Sequence, residues 1–458
     1  MIGIVVSRAD RASEHIGQHL LERLDWTVHT DTQRPDADGG GEFYRREGFE
    51  LRAFETMHVE LTEPEAAFSK PECLEAIVFV SRHAGETGPL LTAHFTGNFG
   101  SADYGGQPGA FARAAPGMQK AVVEALEAHA PDGYDVGIEC THHGPTACSV
   151  PSLFVELGSD DDQWDDPKGA AAVADAVFEL QDVTADHTIG GEPRQVVGFG
   201  GGHYTPRCER IVTDTAWAVG HIGSAWQLEA MGDPAAHSDV IEAVFEASAA
   251  ELAVVDGENP ELEAIIEQVG YRVVSETWLR TVGDRPLAVV ERLETELSSV
   301  TNGLRFGEAP AGTDDCQALS LPNELIAAAH AVDRKKVWRA VADHTVAFET
   351  VEGGTLPAGT AVVTAPDDFE RIIESLCDIL GSKYERIERS AEEIRAHHTS
   401  FNPQKAATLG IPEGPAFGKL AAGQPVELNG RTIEPHVVED EQVDRFPVSS
   451  PKTNVTDR

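Results

Sequence analysis

The sequence predicts an α/β protein with a mostly parallel, mixed central sheet and helices on both faces, followed by a smaller α+β C-terminal domain. Three observations predict it. Apolar strand-like runs alternate with helix-like stretches over the first 275 residues. Four histidine-bearing segments rich in glycine, threonine and acid lie at or just beyond such runs. Around 300–323 the periodicity is lost among Gly, Pro and Asp, and a second set of elements then begins.

The elements follow in order. IGIVV at 2–6 reads as a strand entering a helix over 12–24. Strands are expected at 75–81 (EAIVFVS) and 90–96 (LLTAHFT), a helix over 114–130, strands at 135–140 and 152–158, and a helix near 168–181. QVVGFGG at 195–201, a helix near 239–250, LAVVDG at 252–257, a short helix at 260–268 and YRVV at 271–274 complete this part. Apolar strands alternating with helices place ligand-binding groups off the carboxyl ends of the strands. Residues 1–275 are thus expected to form a catalytic domain and 276–322 a linker. An α+β extension follows over 323–438, with helices near 323–343 and 366–397 and strands near 345–351 and 360–364. Residues 439–458 read as a flexible tail.

Composition bounds the class. The 458 residues carry 35 Lys+Arg against 77 Asp+Glu, a formal net charge of −42. The acid is spread along the chain, which points to a general surface property suited to a cytosol with molar salt, where charges are screened within about 3 Å. Such a charge gives no basic face for phosphate contacts, so nucleic-acid recognition would rest on stacking, hydrogen bonds and shape. No apolar run of membrane-spanning length and no signal-peptide pattern is present, so a cytoplasmic location is expected. The six cysteines show no CxxC pair, and Cys140 and Cys148 are read as packing residues rather than ligands or nucleophile.

The chemistry concentrates in the histidine segments. In GIECTHHGPT from Gly137, a strand extended through His143 would put Glu139, Thr141 and His143 on one face and His142 on the other. Both histidines can serve one ion only if the chain turns, and Gly144-Pro145 makes a turn plausible. Glu139, His142, His143, His94 and Glu156 supply the imidazoles and carboxylates that zinc takes at an open catalytic site. In SRHAGETG from Ser81, a hydroxyl, the Arg82 guanidinium and the His83 imidazole follow a buried strand, and Arg82 suits a phosphate or carboxylate. GFGGGHYTPR from Gly198 fails the dinucleotide fingerprint, because His203 stands where the last small residue belongs. Gly200, Gly201 and Gly202 remain as a backbone cradle for an oxyanion, with His203 over it and Tyr204 able to stack on a base. His221 in AVGHIG reads as a satisfied core histidine, and His397-His398 as surface. These patterns point to a metal-dependent or histidine-driven hydrolase.

Taken together, FVSRH with LTAHFTGNFG, ECTHHGPT with PSLFVELGS and Trp164, and GFGGGHYTPR with AVGHI resemble the archaeal and plant type of D-aminoacyl-tRNA deacylase (D-tyrosyl-tRNA deacylase) over about residues 1–275. The part after about 276 resembles an extension of halophilic members. The resemblance implies hydrolysis of the ester between a D-amino acid and the 3′-terminal ribose of tRNA, with zinc as cofactor, two ions per subunit. It puts Ser81, Arg82, His83, Thr92, His94, Thr96, Asn98, Glu139, Thr141, His142, His143, Thr146, Glu156, His203, Tyr204 and His221 on motif positions. The expected roles are proton transfer for His83, His203 and Thr141, and metal ligation for His94, Glu139, His142, His143 and Glu156. Substrate contact falls to Ser81, Arg82, Thr92, Thr96, Asn98, Gly200, Gly201, Gly202 and Tyr204. The partner would be the 3′ end of D-aminoacyl-tRNA, with no DNA and no membrane, the protein being a monomer or small homo-oligomer. Rival readings are a zinc amidohydrolase acting on acylated amino acids and a non-catalytic tRNA-binding protein.

Overall fold

The computed structural model describes residues 1–310 and 316–448. The chain divides into two compact units, Met1–Pro286 and Leu287–Arg458. In the first unit the strands are β1 (Ile2–Ser7), β2 (Thr27–Asp31), β3 (Gly41–Arg46), β4 (Phe49–Phe54), β5 (Ala76–Arg82), β6 (Leu90–His94), β7 (Asp135–Ile138), β8 (Ser152–Gly158), a short β9 (Thr188–Ile189) and β10 (Glu192–Pro193), β11 (Gln195–Gly200), β12 (Ala218–Gly223), β13 (Leu252–Asp256) and β14 (Arg272–Val273). The helices are α1 (Arg11–Arg23), α2 (Pro116–His129), α3 (Asp161–Trp164), α4 (Pro167–Phe178), α5 (Pro206–Asp214), α6 (Ala225–Met231), α7 (Ser238–Ser248), α8 (Pro260–Gln268) and α9 (Glu276–Val282).

Two larger sheets share the unit with a short β9-β10 pair. One has eight strands in the order β2-β3-β4-β1-β5-β8-β6-β7, and the other has four in the order β12-β11-β13-β14. The second sheet is parallel throughout. In the first, β1 is parallel to β4 and β5, β5 to β8, and β6 to β7, while β6 meets β8 antiparallel. The central strands are buried end to end, as in β1, β5 and β8, which is what strands covered on both faces require. Asp10 starts α1 by accepting the amide hydrogens of Ala12 and Ser13, satisfying groups a helix start leaves open.

The β2–β4 segment has no counterpart among the expected elements, and its composition explains why. β4 buries Glu50 and Arg52, whose Oε1 and Nε lie 2.8 Å apart, and Arg52 also bonds Asp31 on β2 at 3.1 Å. A central strand stabilised by an internal ion pair reads as polar, so the apolar signal that marks its neighbours is missing. The α5 and α6 helices and the β12 strand likewise have no counterpart among the expected elements: the helices are short, and AVGHIG is interrupted by glycine.

In the second unit the elements are α10 (Leu287–Glu296), β15 (Arg305–Phe306), β16 (Gln317–Ser320), α11 (Asn323–His330), α12 (Arg334–Ala342), β17 (Ala347–Val351), β18 (Leu356–Val363), α13 (Pro366–Leu380), β19 (Arg386–Arg389), β20 (Glu393–Phe401), α14 (Pro403–Thr408), α15 (Pro415–Ala421), β21 (Val426–Leu428), β22 (Arg431–Ile433) and β23 (Glu439–Pro447). They build a β15-β17-β18-β16 sheet and a β19-β20-β23 sheet. Five expectations are corrected here. The stretch 276–322 is not a bare linker, because it carries α9, α10, β15 and β16; residues 311–315 of it lie outside the described residues. The helix expected over 323–343 is two helices, since Asp333 caps a new start by accepting the Lys336 amide hydrogen. The helix expected over 366–397 stops at Leu380, before Gly381, and its second half is β19 and β20. There Ile394 and Ala396 are buried two residues apart, the strand period, while the flanking charges imitate a helix face. The tail expected from 439 begins instead with the nine-residue β23, paired along its length with β20; residues 449–458 lie outside the described residues. His397 is buried, its Nδ1 2.7 Å from Glu441 Oε1, so it is not a surface group.

Candidate metal centre and active-site cavity

Strand register brings the chemistry to one face of the eight-stranded sheet. Ser81 is paired with Glu156 in the β5–β8 ladder, Glu156 with Thr92 in the β8–β6 ladder, and Ala93 with Ile138 in the β6–β7 ladder. Side chains of paired residues point the same way and alternate along each strand, so Ser81, His83, Glu156, His94 and Glu139 share a face. β6 and β7 run opposite to β5 and β8, and the groups therefore converge across the sheet over Glu156 rather than off a single row of carboxyl ends.

Beyond Ile138 the chain leaves the first sheet. The Cys140 amide donates to His203 O at 2.8 Å and the Thr141 amide to Ile222 O at 2.9 Å, so the GIECTHHGPT segment bridges to the second sheet. His143 then adopts φ of +49°, a left-handed conformation disfavoured for a side chain of this size. This is the turn on which the service of both histidines depends. It brings the His142 and His143 rings to 4.4 Å and leaves both near His94, at 4.3 and 4.9 Å between centroids.

Three imidazoles are held in one tautomer. His94 Nδ1 donates to Phe95 O at 3.0 Å, His142 Nδ1 to Cys140 O at 2.8 Å, and His143 Nδ1 to Gly144 O at 2.6 Å. A carbonyl only accepts, so each Nδ1 carries the proton and Nε2 is left as the ligand atom, although burial of His94 is outweighed by Glu156 and Glu139, which raise its pKa. Burial pushes the pKa of His142 down to about 4, and burial with the neighbouring His142 ring holds His143 well below the ordinary value, so both rings stay neutral. His94 Nε2 and Glu139 Oε1 are buried and have no hydrogen-bond partner. Buried polar atoms of this kind are costly unless something else satisfies them.

The carboxylates stand among these rings. Glu139 Oε2 is 2.7 Å from His203 Nε2 and 4.0 Å from His142 Nε2, and Glu139 Oε1 is 3.2 Å from His83 Nδ1. Glu156 lies 3.5 Å from His94 Nε2 and 3.7 Å from His83 Nδ1. Burial opposes the charge of Glu156, but the neighbouring His83 and His94 rings outweigh it and hold the pKa at about 2. Burial likewise opposes charge on His83, and the nearby carboxylates of Glu139 and Glu156 prevail, pushing it up to about 9. His203, bonded to the Cys140 sulfur and to Glu139, is pushed up to about 10. Three sets place one ligand atom per residue within 4.8 Å of one another: His94 with His142 and His143, Glu139 with His142 and His203, and His83 with Glu139 and Glu156. Imidazole Nε2 atoms fixed by Nδ1–H···O=C bonds, carboxylates beside them and orphaned buried donor atoms fit a zinc-type centre. All five expected ligand residues meet here, joined by His83 and His203.

This cluster opens into a cavity of about 840 Å³ whose wall includes Ser81, Arg82, His83, Asn98, Phe154 and Trp226. Ser81 Oγ donates to Asp10 Oδ2 at 3.2 Å, and Asp10 also accepts the Arg82 amide hydrogen at 3.0 Å. Arg82 stacks over Trp164 at 5.4 Å, and Trp164 Nε1 donates to His83 O at 2.9 Å. Tyr204 Oη is 3.2 Å from His83 Nε2. Asn98 Nδ2 donates to Gly105 O and Gln107 O, which fixes the loop beside the cavity.

Other expected residues stand elsewhere. Thr141 Oγ1 accepts the Ile222 amide hydrogen at 2.9 Å and is 3.0 Å from His221 Nδ1, so its hydroxyl is engaged behind the site and does not move protons in it. Thr96 Oγ1 donates to Pro145 O, supporting the turn, and Thr92 is fully buried in the sheet. Thr146 Oγ1 accepts the Gln107 amide hydrogen. Gly200 and Gly201 have φ of +90° and +75°, and a Cβ on Gly200 would meet Asp256 O at 2.2 Å. That close approach explains the glycines by packing, and 200–202 is absent from the cavity wall, so the oxyanion cradle is corrected. His221 is a core residue, donating from Nε2 to Ala112 O. Cys140 and Cys148 are buried, and burial pushes the Cys148 thiol up to about 12. Asp10, which holds Ser81 and the Arg82 amide, belongs to none of the histidine motifs, and its helix-capping position ahead of Arg11–Arg23 is the one signal of it in the sequence.

The model of the D-aminoacyl-tRNA deacylase family matches residues 70–274. A D-aminoacyl-tRNA deacylase of Halorubrum lacusprofundi is 52% identical over 98% of this chain and 97% of the relative, and one of Natronomonas pharaonis is 49% identical over 97% of this chain and the whole relative. The crystal structure of a conserved protein of unknown function aligns with a TM-score of 0.54 at 26% identity, covering 62% of this chain and 99% of that one. With relatives this similar along nearly the whole length, resembling it in extension as well as in motifs, the chain belongs to the D-aminoacyl-tRNA deacylase family.

Proposed function

We propose that the protein hydrolyses the ester joining a D-amino acid to the 3′-terminal ribose of tRNA, recycling the tRNA and keeping D-residues out of translation. The observation that carries this reading is the convergence of His94, His142 and His143, each with its Nδ1 held by a backbone carbonyl, with Glu139 and Glu156 at a cavity of about 840 Å³. An amino acid esterified to a nucleoside is of a size that such a space admits.

Zinc would be held by His94, His142 and His143, with Glu139 and His203 beside them as a further carboxylate and imidazole; the single Nε2 lone pair of His142 serves one ion only. Bound there, it would polarise the ester carbonyl and lower the pKa of a bound water to about 7. The protein's own groups do the rest. His83, kept protonated by Glu139 and Glu156, holds a proton at the cavity wall that the departing ribose oxygen needs. Tyr204 Oη orients the His83 ring from its other nitrogen. Arg82, steadied on Trp164, presents its guanidinium to a substrate phosphate or the developing negative charge. The buried wall of Phe154 and the histidine rings excludes bulk water, and its shape discriminates D from L side chains by steric clash.

The test is a deacylation assay in molar KCl with D-tyrosyl-tRNA and L-tyrosyl-tRNA, with metal analysis before and after chelation. Release of D-tyrosine that disappears with zinc and returns on its readdition is expected. Full activity in verified metal-free protein would remove zinc from the proposal, and hydrolysis of N-acyl amino acids without RNA would favour an amidohydrolase.

A further inference from the structure

Among the described residues, the exposed aromatic side chains are Tyr104, Trp226 and Tyr204, at 77%, 51% and 37%. All three stand at one place. Tyr104 and Trp226 line the cavity described above, and Tyr204 reaches His83 on its wall. Isolated exposed apolar residues are ordinary, but large aromatics gathered at the mouth of one cavity are not explained by folding, since each keeps a large ring in water.

The two rim rings are held on connected supports. The loop carrying Tyr104 is tied down by the Gly144 amide, which donates to Tyr104 O at 3.2 Å directly after the His142-His143 turn. Gly100 of the same loop lies so close to the end of α6 that a Cβ would meet Ala230 O at 2.8 Å. α6 carries Trp226, and the neighbouring Gln227 donates from Nε2 to Thr141 O. Loop, helix and metal-ligand segment thus form one braced rim.

The charges of that rim complete the argument. Glu60 and Asp103 line it, and Arg82 is the one Lys or Arg side chain of the wall. In a chain of net charge −42, a polyanionic backbone gains little here from cations. Bases gain a great deal, because every base has a π-face that an aromatic ring can stack on, and cytosine and adenine carry exocyclic amines for carboxylates to accept.

We propose that Tyr104 and Trp226 form a stacking platform for the unpaired terminal nucleobases of the RNA substrate, the cytosines and adenine at a tRNA 3′ end, with Glu60 and Asp103 accepting from their amino groups. This rests on the tRNA reading of the site and assigns the RNA end, rather than its helical stem or phosphates, as the source of affinity.

The test compares wild type with Tyr104→Ala, Trp226→Ala and Trp226→Phe in the full chain. It measures binding of the RNA trinucleotide CCA and of an abasic trinucleotide, together with kcat and KM for D-aminoacyl-tRNA. Each alanine variant is expected to weaken CCA binding and raise KM roughly ten-fold, with kcat within about two-fold, and Trp226→Phe to recover most of the affinity. Raising KCl from about 1 M to about 3 M should change CCA affinity less than about two-fold, since few counterions are released. Unchanged CCA affinity and KM in both alanine variants, or equal binding of the abasic trinucleotide, overturns the platform. If wild type deacylates while the alanine variants keep their KM, the platform fails and the function stands. If wild type binds CCA through these residues yet releases no amino acid, the function fails and the platform stands.

Discussion

The eight-stranded sheet buries charge in two places, and they are built on different terms. On β4, Glu50 is paired with Arg52 at 2.8 Å and accepts the Ser69 amide hydrogen at 2.9 Å, while Arg52 donates also to Gly39 O. On β8 and the end of β7, Glu156 and Glu139 have no Arg or Lys partner among their contacts; they face only His83, His94, His142 and His203. A guanidinium is charged at every accessible pH and locks its carboxylate into the fold. An imidazole carries a lone pair or a proton according to its surroundings and can surrender either to a cation or a substrate. The first cluster is a strut and the second a reagent, although both are buried carboxylates in one sheet.

This contrast can be broken by mutation. His142→Ala, which removes a residue common to two of the candidate ligand groups, should lower deacylation roughly a thousand-fold and reduce bound zinc, with little change in thermal midpoint. Comparable activity and metal content in the variant would show that the cluster is structural after all. Arg52→Ala should do the reverse. Leaving Glu50 buried without its partner is expected to cost about 3 kcal/mol in denaturant unfolding, with kcat per folded molecule retained.

His221 sharpens the comparison from a third side, being fully buried and needed neutral. Burial lowers its pKa to about 4 from the ordinary 6.5 of a free imidazole. Between these values the unfolded chain binds the proton that the folded one refuses, so stability is complete above 6.5 and falls as the pH drops towards 4. The expected loss is about 2 kcal/mol between pH 8 and pH 5, absent in His221→Gln. Unfolding curves of the two proteins at both pH values in the same molar salt decide it; an identical pH dependence would refute the assignment. The smallest effect belongs to Tyr204→Phe. Losing one hydrogen bond to His83 should lower kcat about five-fold and leave metal content unchanged, and steady-state kinetics beside metal analysis will read it.

Much of this site was legible before the fold was known. His94, Glu139, His142, His143 and Glu156 stand out as types and by their strand-end settings, and the first sheet's β1, β5, β6, β7 and β8 are apolar runs that announce themselves. β4 was hidden because its buried ion pair reads as surface, and β19, β20 and β23 because alternation in a charge-rich stretch imitates a helix. Thr141 and Gly200 to Gly202 were assigned to chemistry because sequence shows that a hydroxyl or a glycine is present and not what already occupies it. Tyr104 and Trp226 carry no motif, and only their shared exposure at one rim marks them.

The sequence alone determined the residue types, their approximate strands and the acidic surface, because these follow from local periodicity and composition. Tertiary structure decided which of those residues meet. The insertion of β8 between β5 and β6 sets Glu156 opposite both Ser81 and Thr92, and the left-handed His143 turns two consecutive imidazoles to one side. Sheet order and a strained φ are fixed by distant packing and hydrogen bonds, such as those binding Cys140 to His203 and Thr141 to Ile222, and no local pattern encodes either.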